Sequence, residues 1–295
     1  MTEARARRRA AATPCADGLV GETLTPGKTL AADGTVGKAL DVLDLVAAQG
    51  RPVRFSDLMP LSPFPKATLY RLLQTLTSQG MLSHDPDRGF YTLGVRLVRL
   101  AHDAWRQSSL GPLARPYLDR LSAEMGETVH LAQLDDGQVL YVDKRDAAKP
   151  VEMFSQAGRI GPAYCTGVGK AMLAWLPPEA LEQSVARQSF RRFTPRTLTT
   201  SAALLAELEQ VRVNGYALDR EEHEDGIICV ALPVMTRAGR VLGAVSVTST
   251  TARSSLATLE TLVPRIDATA RQIGEMAENW RFPEQETGAA QAGGM

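Results

Sequence analysis

The 295-residue chain has only three cysteines, Cys15, Cys165 and Cys229, an odd number set far apart. This excludes a disulfide framework or a cysteine zinc site and suits a reducing compartment. Long apolar runs are also missing. None approaches the roughly 18 residues that a membrane-spanning helix needs. Four arginines (Arg5, Arg7, Arg8, Arg9) stand near the start, but Pro14 and Asp17 break the stretch behind them, so no signal-peptide core follows and a cytoplasmic location is expected. There is no excess of charge of either sign: 33 basic and 33 acidic residues give a formal net charge of +0. A wholly basic nucleic-acid coat and a disordered acidic chain are both excluded.

What is present is a soluble globular composition, 44% hydrophobic and 22% charged. At roughly 150 residues per domain the length suggests two domains. The zero net charge hides an asymmetry. Residues 1–100 carry 13 Lys and Arg against 9 Asp and Glu, whereas residues 101–295 carry 20 against 24. Such a bias suggests that only the first part meets a polyanion.

Residues 1–33, rich in Ala, Thr, Gly and Arg, read as a disordered basic tail, and 282–295 as a second disordered tail. From Val36, apolar residues recur at Leu40, Leu43 and Ala47, the spacing of an amphipathic helix that Gly50 and Pro52 stop. Ser56-Asp57-Leu58-Met59 reads as a cap and a short helix limited by Pro60. A clear helix follows, with Pro65 at its first position and Leu69, Leu72, Leu73 and Leu76 as its buried stripe. Gly80 ends it. Met81-Leu82 and Phe90–Leu93 are strand candidates around the turn His84–Gly89. Helix, short helix, helix and hairpin within residues 34–94 make a winged helix-turn-helix.

The helix after Pro65 carries Lys66, Ala67 and Thr68 in its first turn and Tyr70, Arg71 and Gln74 behind them, and Arg88 sits on the wing turn. An α-helix fits the major groove, where such side chains reach phosphates and base edges. Taken singly they are ordinary solvated residues, and a winged helix also serves as a protein-interaction module. The order of elements favours DNA. Residues 95–110, with Leu97, Val98, Leu100, Ala101 and Trp105, read as a linker helix whose apolar residues spread over more than one face. Residues 111–281 alternate helical patterns (113–125, 167–175, 201–214, 255–279) with strand patterns (128–134, 138–143, 151–155, 216–219, 227–234, 241–248). The whole reads as α+β.

The segment Ser62–Leu73, followed by Gly80-Met81-Leu82 and Tyr91–Gly94, resembles the DNA-binding segment of IclR-type bacterial transcriptional regulators. The resemblance continues through Gly126–Val129, Thr166–Ala174, Gly215-Tyr216, Gly226–Pro233 and Ala244–Thr248. Pro63 stands where the family commonly has glycine, and with Pro60 and Pro65 it should stiffen the turn. The resemblance implies a GAF-like effector domain, α/β in character, for a small organic molecule such as a carboxylate or an aromatic. It also implies a dimer or tetramer on double-stranded operator DNA, with neither cofactor nor metal. Its pocket would include Gly161, Tyr164, Gly167, Asp219, Cys229, Ser246 and Thr248. Ser246 and Thr248 alternate along one strand and so share a face.

Other readings of these residues remain. Ser246 and Thr248 suit a solvated outer face, Cys229 a small buried hydrophobe, and Lys170 the surface. Gly167-Val168-Gly169-Lys170 lacks the upstream glycine and following Ser or Thr of a phosphate loop. A metal sensor would use Glu221–Asp225, and a cysteine-dependent enzyme would pair Cys165 or Cys229 with His130 or His223.

Overall fold

The computed structural model describes residues 34–108 and 110–279. The two tails and Cys15 lie outside the described residues. The chain folds as two compact units that divide between Asp103 and Ala104.

The first unit begins with α1 (Thr35–Ala48), β1 (Val53–Arg54) and α2 (Phe55–Leu58). It continues with α3 (Lys66–Ser78), β2 (Leu82–Asp85) and β3 (Phe90–Leu93). Ser56 is not the cap of α2. The helix begins at Phe55, and the Asp57 carboxylate instead accepts the Arg54 N–H at 3.1 Å. Pro60 lies beyond the end of this four-residue helix, as its missing N–H requires. Pro65 is the residue just before α3, and its carbonyl accepts the Leu69 N–H at 3.0 Å. Leu69, Leu72, Leu73 and Leu76 pack with Val42, Leu43 and Val46 of α1, Leu58 of α2 and Tyr91 of β3. The three strands form an antiparallel sheet in the order β1-β3-β2. At the wing tip the Asp85 carboxylate accepts the N–H groups of Asp87 and Arg88, and Gly89 takes a φ of +69°. That φ is open to glycine and strained for other residues.

The division between units falls within α4 (Val95–Ser108). The second unit then runs α5 (Gly111–Met125), β4 (Thr128–Asp135), β5 (Gln138–Arg145), β6 (Ile160–Gly161), α6 (Gly167–Leu173) and α7 (Pro178–Ala186). After these come α8 (Ser201–Asn214), β7 (Ala217–Arg220), β8 (Ile227–Met235), β9 (Val241–Thr250), α9 (Leu256–Glu260) and α10 (Val263–Met276). Six antiparallel strands lie in the order β6-β5-β4-β9-β8-β7. Strand alternation splits the core between the two faces. Val129, Leu131, Val230, Val245 and Val247 pack with Leu118 and Leu121 of α5 and Ile266 and Ile273 of α10. Ala132, Ala231 and Ala244 pack with Val168 and Met172 of α6 and Leu204 and Leu208 of α8.

Two expectations change, and one helix was not expected. Residues 151–155 are not a strand, and their polar groups turn to side chains of other segments, as described below. The helix expected over 255–279 breaks after Glu260 and restarts at Val263, because Pro264 is tolerated only in a first turn. Helix α7 has just two buried residues, Leu181 and Val185, too sparse a stripe to be seen in the sequence.

Candidate functional site

Helix α3 separates its faces cleanly. Its four leucines are buried, whereas Lys66, Ala67, Tyr70, Arg71 and Gln74 are exposed and Thr68 is half-buried. The exposed set falls on one face at helical spacing. Among the described residues Lys66, Arg71 and Arg88 form no ion pair, so three cations are left to meet an external anion. Gln74 Nε2 reaches Tyr91 Oη at 3.5 Å, which ties the exposed face of α3 to the central strand of the wing.

In the second unit, the α6 side of the sheet encloses a cavity of about 30 Å³. Small residues create it. A Cβ on Gly167 would stand 2.4 Å from Cys229 Sγ, and one on Gly169 would stand 2.3 Å from the Ala163 carbonyl oxygen. The α6 backbone therefore lies directly on β8 and on the segment leading into the helix. Gly167, Asp219, Cys229, Ser246 and Thr248 all line this cavity. Ser246 and Thr248 are buried rather than solvated. Gly161 and Tyr164 do not line it, contrary to expectation. Gly161 lies behind the Phe154 ring, and the Tyr164 hydroxyl turns away to donate to the Arg191 carbonyl at 2.6 Å.

The cavity has further walls outside the expected effector set: His130, Tyr141, Ser155, Thr166, His223 and Glu224. His130, on β4, joins three hydroxyls. Its Nε2 is 2.8 Å from Ser155 Oγ, and its Nδ1 is 3.2 Å from Thr248 Oγ1 and 3.4 Å from Ser246 Oγ. Burial, helped by the nearby Lys144 charge, lowers its pKa to about 3 and keeps the ring neutral. A buried histidine between apolar strand neighbours was the available signal. The irregular segment 146–159 closes the other side. The Phe154 N–H donates to both Glu224 carboxylate oxygens, at 3.0 and 3.1 Å. His223 is held between the rings of Phe154 and Phe193, with centroids 4.8 and 4.6 Å away.

Beneath the cavity lies a buried charge cluster. Lys170 is fully buried, not on the surface: its Nζ lies 3.1 Å from Glu207 Oε1 and also pairs with Glu222. Arg220 pairs with Glu207 at 2.7 Å. Helix α6 is buried on every side, so its lysine must be matched by carboxylates. Asp219 accepts the Glu222 N–H at 2.8 Å. Burial, and then the Glu222 charge, push its pKa up to about 7 against the opposing pull of Lys170.

The two alternative chemistries find little support in this geometry. Burial pushes the thiols of Cys165 and Cys229 well above the usual range, and His130 bonds hydroxyls instead. Glu221 turns to Arg196, Glu222 to Lys170 and Glu224 to the Phe154 backbone. No group of three His, Cys, Asp or Glu among the described residues is placed to hold a metal ion. Among the same residues no helix is long and apolar enough to cross a membrane.

Comparison with known proteins agrees with this layout. A family model for the IclR helix-turn-helix domain matches residues 35–86, and one for the bacterial transcriptional regulator IclR C-terminal region matches residues 103–275. The HTH-type transcriptional regulator XynR of Escherichia coli is 36% identical over 211 residues, 72% of this chain and 84% of that protein. KdgR of the same organism is 34% identical over 233 residues, 79% of this chain and 89% of its own length. The crystal structure of the Thermotoga maritima IclR aligns with a TM-score of 0.68 at 27% identity, covering 81% of this chain and 97% of that one.

Proposed function

The chain belongs to the IclR family of bacterial transcriptional regulators, and from that membership we propose how its two units divide the work. It is a ligand-responsive DNA-binding regulator. Lys66, Ala67, Thr68, Tyr70, Arg71 and Gln74 of α3 enter the major groove, while Arg88 meets the backbone or minor groove from the wing. The observation that carries this reading is the bare cationic face of α3 over a buried leucine stripe.

The regulator acts as a dimer or tetramer, because one winged helix buries too little surface for a tight specific site. Val95 and Val98 of α4, 75% and 68% exposed, supply an apolar face for a second copy. Residues 34–94 serve as the DNA-binding domain, 95–110 as the linking helix and 111–281 as the effector domain. The effector site is the cavity bounded by Gly167, Asp219, Cys229, Ser246 and Thr248, with His130, Ser155 and Glu224 added. Hydroxyls and a neutral imidazole suit a small oxygen-bearing organic molecule. Its binding shifts the balance between DNA-competent and incompetent arrangements in proportion to its preference for one of them. The homologues are named as transcriptional regulators, and the protein acts by binding, in the cytoplasm.

Selection of genomic fragments by the purified protein tests this. One or a few fragments should be enriched, lost with Arg71→Ala, and released steeply as salt rises through counterion release. Equal recovery with the variant would refute α3 as the reading helix.

A further inference from the structure

The exposed face of α3 is not uniformly polar. At its amino-terminal end, Phe55, Lys66, Ala67 and Tyr70 bound an open depression that contains no acidic side chain. Tyr70 is 54% exposed, and its ring meets Phe55 edge-on with centroids 6.0 Å apart. That aromatic pair sets the ring in one orientation beside the exposed Ala67 methyl.

Charge decides the occupant. Lys66 borders the shelf, Arg71 follows it on the same helix, and neither is in an ion pair among the described residues. An apolar shelf rimmed by unmatched cations is complementary to an apolar group carried on a polyanion. In the major groove the base edges present one methyl, the C5-methyl of thymine. We propose that Ala67 and Tyr70 read thymine methyl groups in the operator, with Phe55 as a positioning residue that holds the Tyr70 ring. The inference rests on α3 being the helix that enters the groove, and it adds a base preference to that reading.

The test needs no known operator. Full-length protein selects its site from a random-sequence duplex library. Each thymine of the winning site is then replaced singly by deoxyuridine, which removes only the methyl. At one or two adjacent positions affinity should fall about four-fold, the worth of one buried carbon. In Tyr70→Ala and Ala67→Gly the thymine-to-uracil ratio at those positions should approach unity. Both residues are exposed, so the leucine stripe that folds α3 is untouched. Equal binding of thymine and uracil throughout the site would overturn the proposal, as would discrimination that survives in both variants. Failure to enrich any sequence at low salt would overturn α3 as the reading helix as well, and so differs from the loss of the methyl contact alone.

Discussion

Asp219 and His130 line one cavity, yet their titrations pull stability in opposite directions. Asp219 has its pKa raised from 3.8 to about 7, so the folded state holds a proton that the unfolded state gives up, and stability falls as pH rises between those values. His130 has its pKa lowered from 6.5 to about 3, so the unfolded state holds the proton, and stability falls as pH drops from 6.5 toward 3. Between about pH 4.5 and about pH 6.5 each group differs by close to one proton, worth about 2 kcal/mol over that span, and the two contributions nearly cancel. Removing one exposes the other. Relative to the unmodified protein, Asp219→Asn should gain about 2 kcal/mol of stability from the lower pH to the higher, and His130→Asn should lose about as much. Urea midpoints at the two pH values measure this, because groups common to all three proteins drop out of the difference. Any constant penalty from the lost hydrogen bonds drops out too. If both variants kept the same pH trend as the parent, the assignment of buried protonation states would be refuted.

Other consequences can be checked on the same unit. Lys170→Met strands the carboxylates of Glu207 and Glu222 around an apolar chain and should cost about 3–5 kcal/mol in urea unfolding; a change near zero would mean the cluster is open to water. Gly169→Ala drives a Cβ against the Ala163 backbone and should destabilise by about 1–3 kcal/mol, with a matching drop in the thermal midpoint. Ser246→Ala should weaken the effector response of operator binding while leaving effector-free DNA affinity unchanged, as read by fluorescence anisotropy; loss of both would mark Ser246 as structural.

How much of this was legible followed from how local each signal is. The leucine stripe of α3 and the turn signals around Gly89 lie within a few residues of the contacts they make, and the winged fold could be read directly. The cavity was legible in part. Asp219, Cys229, Ser246 and Thr248, carried by the family resemblance, sit on adjacent strands. Lys170 was misread because its partners lie 37 and 52 positions away, and a lone lysine beside two glycines carries no trace of them. The same holds for 146–159. Residues 151–155 within it read as a strand, but the Phe154 N–H finds a carboxylate 70 positions on instead of a neighbouring strand. Tyr164, fully buried next to a glycine-rich helix start, turns away from the cavity, with its hydroxyl donating to the Arg191 carbonyl.

The cavity of about 30 Å³ is far smaller than the roughly 300–1,000 Å³ of pockets that hold drug-sized ligands. An organic effector bound here, as proposed, would need more room than this closed arrangement gives. One side is closed by 146–159, held by the Glu224–Phe154 and His130–Ser155 hydrogen bonds and by the backbone bonds of Tyr141 with Gly158 and Arg159. Part of the ligand's binding free energy is therefore used in parting those ties, and apparent affinity is reduced by the fraction of molecules already parted. Because His130, Ser155 and Glu224 also line the cavity, weakening either tie would change closure and effector contact together. The domain would then trade sensitivity for threshold through the strength of its own closure.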